Sequence, residues 1–146
     1  MFRHLRMTAF IVLSALGILA GQGVAQAEKP DDILIVANKS LKAGSISIAD
    51  AKRIFLKEKA DLNGERITPV NARSGSALRN AFAVKVLGMS GAEETGYWED
   101  QKIKTGTHKP TELADTVKAV FSLKNGISYC YRKDFNPAVA KILLAL

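Results

Sequence analysis

One short stretch of the chain passes from an apolar run through a loop of small residues into the start of a helix. Ser74 and Ser76 flank Gly75 in this loop; Arg73 precedes them and Arg79 follows. The free N–H groups and positive dipole end of a helix start attract oxyanions, and arginine forks suit phosphate or carboxylate. The spacing therefore predicts an anion site. The alternative is a glycine turn before a helix capped at Ser76, with both arginines solvated.

Residue types that support catalysis or metal binding are scarce after residue 27. His108 and Cys130 are the only histidine and the only cysteine there, so one chain cannot build a His/Cys zinc site. His108 lies in a polar loop with no identifiable orienting partner, and the glycine spacing of a serine-hydrolase elbow is absent around Ser74 and Ser76. We expect a protein that is not an enzyme and carries no metal or cofactor. Cys130 is expected to be an inert core thiol and His108 a surface residue, with anion donor as the alternative for His108.

The first residues have the parts of a secretory signal peptide. Arg3 and Arg6 precede a nearly continuous apolar run over residues 9–20, and Ala-Gln-Ala follows at 25–27. This order predicts a cleaved signal peptide over residues 1–27. An uncleaved membrane anchor is the alternative, but the apolar run is shorter than the roughly 20 residues that a spanning helix needs.

Cleavage leaves residues 28–146 as an exported, soluble chain of the periplasm, with no transmembrane segment. That length suits one compact domain or two small lobes that share a crevice. The formal net charge of +7 falls by two on cleavage, because the signal holds two arginines and no acid. A basic surface favours anionic ligands. The lysines are spread along the chain, so we expect no nucleic-acid partner.

Apolar patterning predicts strands in an alternating α/β order. A wholly apolar run at 33–37 indicates a strand buried on both faces. The Asn63-Gly64 pair predicts a turn before a short strand that begins near Ile67. Residues 127–131 have strand composition, and the tail 138–146 is expected to be a strand, with a short helix as the alternative.

Caps and apolar spacing predict the helices. Ser47 begins a helix to about residue 57 with Ile48 on its inward side, and the helix after the serine-glycine loop ends at Gly88. Ser90 and Glu93 form a capping-box pattern at the start of the next helix.

A further helix is expected to run from about Thr111 to Gly126. Its buried stripe is expected to include Leu113 and Phe121. The preceding loop, residues 104–110, is rich in hydrogen-bond donors.

Seven short segments occur in one order along the chain: IVANKS at 35–40, AKRIFL at 51–56, ITPVN at 67–71, GSALRNAF at 75–82, YW at 97–98, TG at 105–106 and GISY at 126–129. Together they resemble the short phosphate ABC transporter substrate-binding-protein-like family, which is periplasmic-binding-protein-like of type II. The resemblance covers nearly all of the chain after the signal. It implies a reduced α/β fold of that type, with a crevice between two small α/β parts.

The resemblance also implies a set of ligand-binding residues, carried over by motif. Three loops supply them: Ser40 from the first, Ser74, Gly75, Ser76 and the following Arg79 from the second, and Thr105 with Gly106 from the third. In the larger relatives an acidic residue stands against the protonated oxygen of phosphate, and its counterpart is not identifiable here. Ser128 stands where the family has a glycine.

Two functions follow from the resemblance. The first is an exported soluble binding protein for phosphate or a similar oxyanion, which hands ligand to, or signals through, a membrane transporter or sensor. The second is a ligand-free periplasmic adaptor that retains the fold, suggested by the reduced size and the missing acid. On the first hypothesis, Arg79→Ala abolishes binding and leaves the fold intact.

Overall fold

The structure, a computed structural model, describes residues 27–146. The predicted signal peptide falls outside the described residues except for its last position, so its cleavage stays a prediction. In the described part of the chain, no helix combines the length and the apolar character needed to cross a membrane.

A mixed sheet of five strands organises the fold. The strands in chain order are β1 (Ile33–Asn38), β2 (Asp61–Leu62), β3 (Glu65–Arg66), β4 (Thr68–Asn71), β5 (Thr111–Glu112), β6 (Gly126–Tyr131) and β7 (Ala140–Ala145). The sheet has the order β5-β4-β6-β1-β7, while β2 and β3 form a separate hairpin. The predicted Asn63-Gly64 turn connects β2 to β3, and both of its residues have positive φ.

Four α-helices cover the sheet in the described residues: α1 (Ile48–Phe55), α2 (Ala77–Phe82), α3 (Gly91–Thr105) and α4 (Thr116–Ser122). The chain continues from α2 into a π-helical turn, Ala83–Leu87, and leaves it at Gly88 with φ +72°. The predicted caps are confirmed. Ser47 accepts a hydrogen bond from the N–H of Asp50, and both hydrogen bonds of the Ser90–Glu93 capping box are present.

The interior strand β1, which lies between β6 and β7, explains the first apolar run. Its odd-numbered residues face the larger core, which includes Phe55, Phe82 and Tyr129, and its even-numbered residues face a smaller core around Val120 and Cys130. Both faces are covered, so every position from Ile33 to Ala37 is buried. This is the arrangement that favours continuous over alternating hydrophobicity.

The helix expected from Thr111 begins later. The helix α4 starts at Thr116, where Asp115 accepts a hydrogen bond from the N–H of Lys118. Thr111 instead enters β5 and pairs in parallel with β4, a non-local contact that outweighs local helical spacing. Leu113 therefore lies outside the helix.

Three side chains predicted to face inward are exposed instead. Leu113 is 41% exposed, Phe121 60% and Ile48 48%. The predicted strands at 127–131 and in the tail are confirmed as β6 and β7.

Strand direction decides which loops can meet. β1 is antiparallel to β6, whereas β4 is parallel to both β6 and β5. The C-terminal ends of β4 and β5 consequently lie at one edge of the sheet, and the C-terminal end of β1 lies at the opposite edge. The loop after β1 is thus separated by the length of the strands from the loop after β4.

Candidate functional site

A cavity of about 580 Å³ lies between the loop that follows β4, the helices α2 and α3, and the segment that precedes β5. The loop after β4 contributes Ser74 and Gly75, and α2 contributes Arg79 and Asn80. One face of α3 forms the opposite wall. His108 and Lys109, in the segment between α3 and β5, complete the lining.

The wall from α3 is a single helical face. Its exposed members are Ala92, Thr95, Glu99 and Lys102, and the nearly buried Trp98 lies among them. Their spacing of three and four residues places all of them on one side of the helix. The wall therefore mixes a small side chain, a hydroxyl, an aromatic ring and charges of both signs.

Arg79, the strongest candidate from the sequence, is enclosed. Its side chain is 2% exposed, and it forms an ion pair with Glu94 of α3, whose side chain is 7% exposed. The Nε–H donates to Oε2 of Glu94 at 2.9 Å, and Nη2 donates to Oε1 of the same carboxylate. The Nε1–H of Trp98 donates to Oε1 as well, at 3.4 Å. The guanidinium of Arg79 is thus already paired with a carboxylate of the same chain.

A tyrosine of β6 completes the surroundings of Arg79. Nη1 of Arg79 donates to the hydroxyl of Tyr129 at 3.2 Å, and that hydroxyl donates to Oδ1 of Asn71 at 3.3 Å. The ring of Phe82 stacks on Tyr129 with the centroids 3.7 Å apart. Burial raises the pKa of Tyr129, and the Arg79 charge opposes this only in part. The tyrosine therefore remains a neutral hydrogen-bonding group at physiological pH.

This network contradicts the expectation that Arg79→Ala leaves the fold intact. Removing the guanidinium would leave the carboxylate of Glu94 buried without its counter-ion. Breaking a buried ion pair in this way costs about 3–5 kcal/mol of stability.

Ser74 belongs to a cluster with Lys109 and Glu112. Its hydroxyl donates to Oε1 of Glu112 at 2.5 Å, and Nζ of Lys109 donates to the hydroxyl at 3.2 Å. Lys109 also pairs directly with Oε1 of Glu112 at 2.7 Å. Burial acts to raise the pKa of Glu112, but the hydrogen bonds from Lys109 and Ser74 outweigh it and hold the pKa below its usual value. These contacts hold the loop after β4 against β5.

The other two residues of the serine-glycine loop shape the backbone. Gly75 has φ +77°, a conformation that other residues rarely adopt. Ser76 is the N-cap of α2: it accepts from the N–H of Arg79 at 3.2 Å and donates to the carbonyl of Arg73 at 2.8 Å. The capping role considered from the sequence is therefore present at Ser76, which does not line the cavity.

Ser40 lies apart from this group. Its hydroxyl oxygen lies 2.7 Å from both Oδ1 of Asn38 and the carbonyl oxygen of Lys124, so its one hydrogen is donated to one of these two acceptors. Lys124 precedes β6, so Ser40 stands at the edge of the sheet opposite to Ser74. The structure does not bring the first loop to the second.

Thr105 and Gly106 form the C-terminal end of α3. The hydroxyl of Thr105 donates to the carbonyl of Gln101 at 2.9 Å, and Gly106 ends the helix with φ +70°. This is the negative end of the helix dipole, which favours cations over anions. Neither residue lines the cavity. Of the seven residues expected from the resemblance, the structure gathers Ser74, Gly75 and Arg79 around it.

The sequence reasoning missed four residues that set the charge of the cavity: Glu94, Glu99, Lys102 and Lys109. Glu94 follows the capping-box glutamate, and its position one helical turn before Trp98 was the signal that could have marked it as inward-facing. Neither Lys102 nor Glu99 forms an ion pair with any described residue. Lys102 and His108 therefore line the cavity without an ion pair to any carboxylate of residues 27–146.

Known proteins share this fold over most of the chain. No protein-family model and no curated protein sequence matches. Among solved structures, an ABC-type phosphate transport receptor from Vibrio cholerae has a TM-score of 0.59 at 12% identity, covering 77% of this chain and 45% of that one. A structure from Clostridium perfringens with bound phosphate, assigned as a phosphate ABC transporter substrate-binding protein, has a TM-score of 0.58 at 19% identity, covering 77% and 44%.

A third structure, from Planctomyces limnophilus and assigned as a phosphate binding protein, has a TM-score of 0.52 at 14% identity, covering 77% and 40%. The chain spans less than half the length of each of the three. The likeness confirms the expected α/β fold, that of phosphate-transporter substrate-binding proteins in reduced form. By their descriptions, all three are receptors or binding proteins.

Proposed function

We propose that this protein is an exported binding protein for phosphate or a similar oxyanion, and that the cavity between the serine-glycine loop and α3 is its binding site. The observation that carries the proposal is that Lys102, His108 and Lys109 line one cavity with the serine-glycine loop that follows β4. The fold likeness to phosphate receptors adds support.

The affinity expected of a receptor sets how many hydrogen-bond donors the site must supply. A micromolar dissociation constant requires about 8 kcal/mol of binding free energy. Charge-assisted hydrogen bonds contribute roughly 1.5–3 kcal/mol each, so several must act together. An ammonium carries three N–H donors: Lys102 forms no ion pair with a described residue, whereas Lys109 already uses two donors on Ser74 and Glu112 and has one left for an anion. We assign the anion contacts to these lysines, to His108 and to the loop at Gly75.

Export and delivery form the second part of the proposal. The charge and apolar pattern of residues 1–27 support secretion to the periplasm. There the protein would present its ligand to a membrane transporter or sensor, as the descriptions of the Vibrio and Clostridium proteins suggest.

Calorimetric titration of inorganic phosphate into residues 28–146 tests the binding. We expect saturable binding of phosphate in the micromolar range, weaker binding of sulfate and no binding of chloride. Lys102→Ala should weaken phosphate binding about tenfold or more, the effect of one charge-assisted hydrogen bond.

Lys104→Ala is the matched control, because Lys104 lies on the same helix and pairs with Asp100 at 2.8 Å away from the cavity. We expect it to bind phosphate as the parent does. Heat of mixing with phosphate no larger than with chloride, up to millimolar concentration, would overturn the proposal.

A second candidate function is favoured by the Arg79–Glu94 pair. In an adaptor that keeps the fold without a ligand, an internal carboxylate would occupy the arginine permanently, as it does here. Absence of phosphate binding together with co-purification of a membrane transporter or sensor would support this adaptor function.

A further inference from the structure

The cavity is longer than one oxyanion can fill. Its wall runs along α3 from Ala92 to Lys102, a rise of roughly 15 Å at 1.5 Å per residue. A charge-assisted hydrogen bond spans only about 2.7–2.9 Å between heavy atoms. An anion held by Lys102 therefore leaves the part of the cavity near Ala92 unfilled.

The cavity has the size and the lining of a site for a small organic molecule. Its volume of about 580 Å³ falls within the roughly 300–1,000 Å³ typical of organic-ligand pockets. In the middle of the wall, Thr95 donates its hydroxyl hydrogen to the carbonyl of Gly91 at 2.9 Å and can still accept a hydrogen bond, and Trp98 adds aromatic surface. Sites for organic ligands combine such surfaces with a few placed polar groups.

The charges are unevenly placed along the wall. Lys102 lies in the last turn of α3, at one end of this wall, and forms no ion pair with a described residue. Glu99 is exposed, unpaired among the described residues and faces the cavity. A carboxylate there repels a second anion and accepts hydrogen bonds from hydroxyl groups. The ligand that matches this pattern has one anionic end and a hydroxyl-bearing body.

We propose that the cavity takes a phosphate monoester of a small polyol, with the phosphate against Lys102, His108 and Lys109 and the hydroxyl-bearing part along Thr95, Trp98 and Glu99. This inference rests on the proposed anion-binding function and specifies its ligand class. Binding is non-covalent, and free phosphate occupies only the cationic end.

Titrations of glucose 6-phosphate, inorganic phosphate and glucose into residues 28–146 test the inference. We expect glucose 6-phosphate to bind at least about tenfold more tightly than inorganic phosphate, which is the effect of one added hydrogen bond to a charged group. Glucose alone should not bind measurably, because it lacks the anionic end.

Two variants distinguish the wall from the cationic end. Thr95→Trp places a bulky side chain in the middle of the wall and should remove the advantage of glucose 6-phosphate while leaving phosphate binding unchanged. Ile103→Trp is its control, because Ile103 is 84% exposed on α3 and does not line the cavity. Glu99→Gln is a second wall variant with almost no change in size, and the loss of the charged acceptor should reduce the ratio of glucose 6-phosphate affinity to phosphate affinity. Circular dichroism establishes that each variant is folded.

The outcomes separate this inference from the function on which it rests. Equal affinity for glucose 6-phosphate and phosphate, or binding of phosphate alone, would overturn the polyol-phosphate ligand and leave anion binding in place. Binding of neither above the chloride control would overturn both. Loss of the glucose 6-phosphate advantage in Ile103→Trp as well as in Thr95→Trp would also contradict the assigned wall.

Discussion

Arg79 and Glu94 form a buried ion pair that joins α2 to α3, with the Nε of the arginine 2.9 Å from Oε2 of the glutamate. The two residues lie on different helices and form the inner side of the cavity. The pair therefore fixes the distance between the serine-glycine loop and the α3 wall. Any ligand in the cavity binds beside a guanidinium whose charge is already balanced.

Arg79→Met should lower the free energy of unfolding by about 3–5 kcal/mol, because it leaves Glu94 buried without its counter-ion. Denaturant unfolding followed by circular dichroism measures the change. The double variant Arg79→Met/Glu94→Leu should recover much of the loss, since no uncompensated charge remains.

Arg73→Met provides the control for that experiment. Arg73 is exposed at the same loop and forms no ion pair with a described residue, so its replacement should change stability by no more than about 0.5 kcal/mol. Equal destabilisation by Arg73→Met and Arg79→Met would show that the pair has no special role.

Glu112 should make the protein less stable in acid. Its pKa is lower in the folded chain than the ordinary value of 4.5, so its contribution to stability is fully present above pH 4.5 and is lost as the pH falls through the folded pKa. The melting temperature of the parent should exceed that of Glu112→Gln near pH 7. The difference should shrink as the pH falls below 4.5. A difference that stays constant down to pH 3 would contradict the role of its charge.

Cys130 should resist alkylation in the native protein. Burial, assisted by the nearby Asp134 charge, raises the pKa of its thiol to about 12, and its side chain lies in the smaller core. The thiolate is the reactive form, so iodoacetamide at pH 8 should modify Cys130 only after urea unfolds the chain. Mass spectrometry measures the modified fraction, and rapid labelling without urea would show that this face of the sheet opens.

The exported protein should begin at Glu28. Expression of the full chain in a Gram-negative host, followed by osmotic release and N-terminal sequencing, determines the cleavage position. Replacing Arg3 and Arg6 with glutamate should retain the chain in the cytoplasm, because the signal needs a positive start. A periplasmic protein that keeps residues 1–27 would support the membrane-anchor alternative.

Sequence patterns predicted helix caps, turns and strands correctly where the contacts that form them join residues close together in the chain. The hydroxyl of Ser90 bonds a backbone N–H three residues away, so the pattern itself contains the interaction. Gly88 and Asn63-Gly64 likewise adopt positive φ where the sequence requires a turn. The predicted strand at 33–37 depended only on its apolar composition.

The candidate site was harder to predict from the sequence because the residues that form it lie far apart in the chain. Arg79 and Glu94 are fifteen residues apart on separate helices, and no spacing rule links them. Ser40 was grouped with Ser74 through the family resemblance, but β1 runs opposite to β4 and places them at opposite edges. Strand direction depends on the order of pairing in the whole sheet, which local sequence patterns do not contain.

The position of β1 between β6 and β7 has a consequence for how the chain folds. The first strand of the sheet bonds only to its two last strands, so residues 33–38 find their partners about ninety or more positions later. A chain that emerges from its N-terminus cannot complete the sheet until residues 126–145 are available. On the proposed route of export, the chain would lack its complete sheet until its last strands had crossed the membrane.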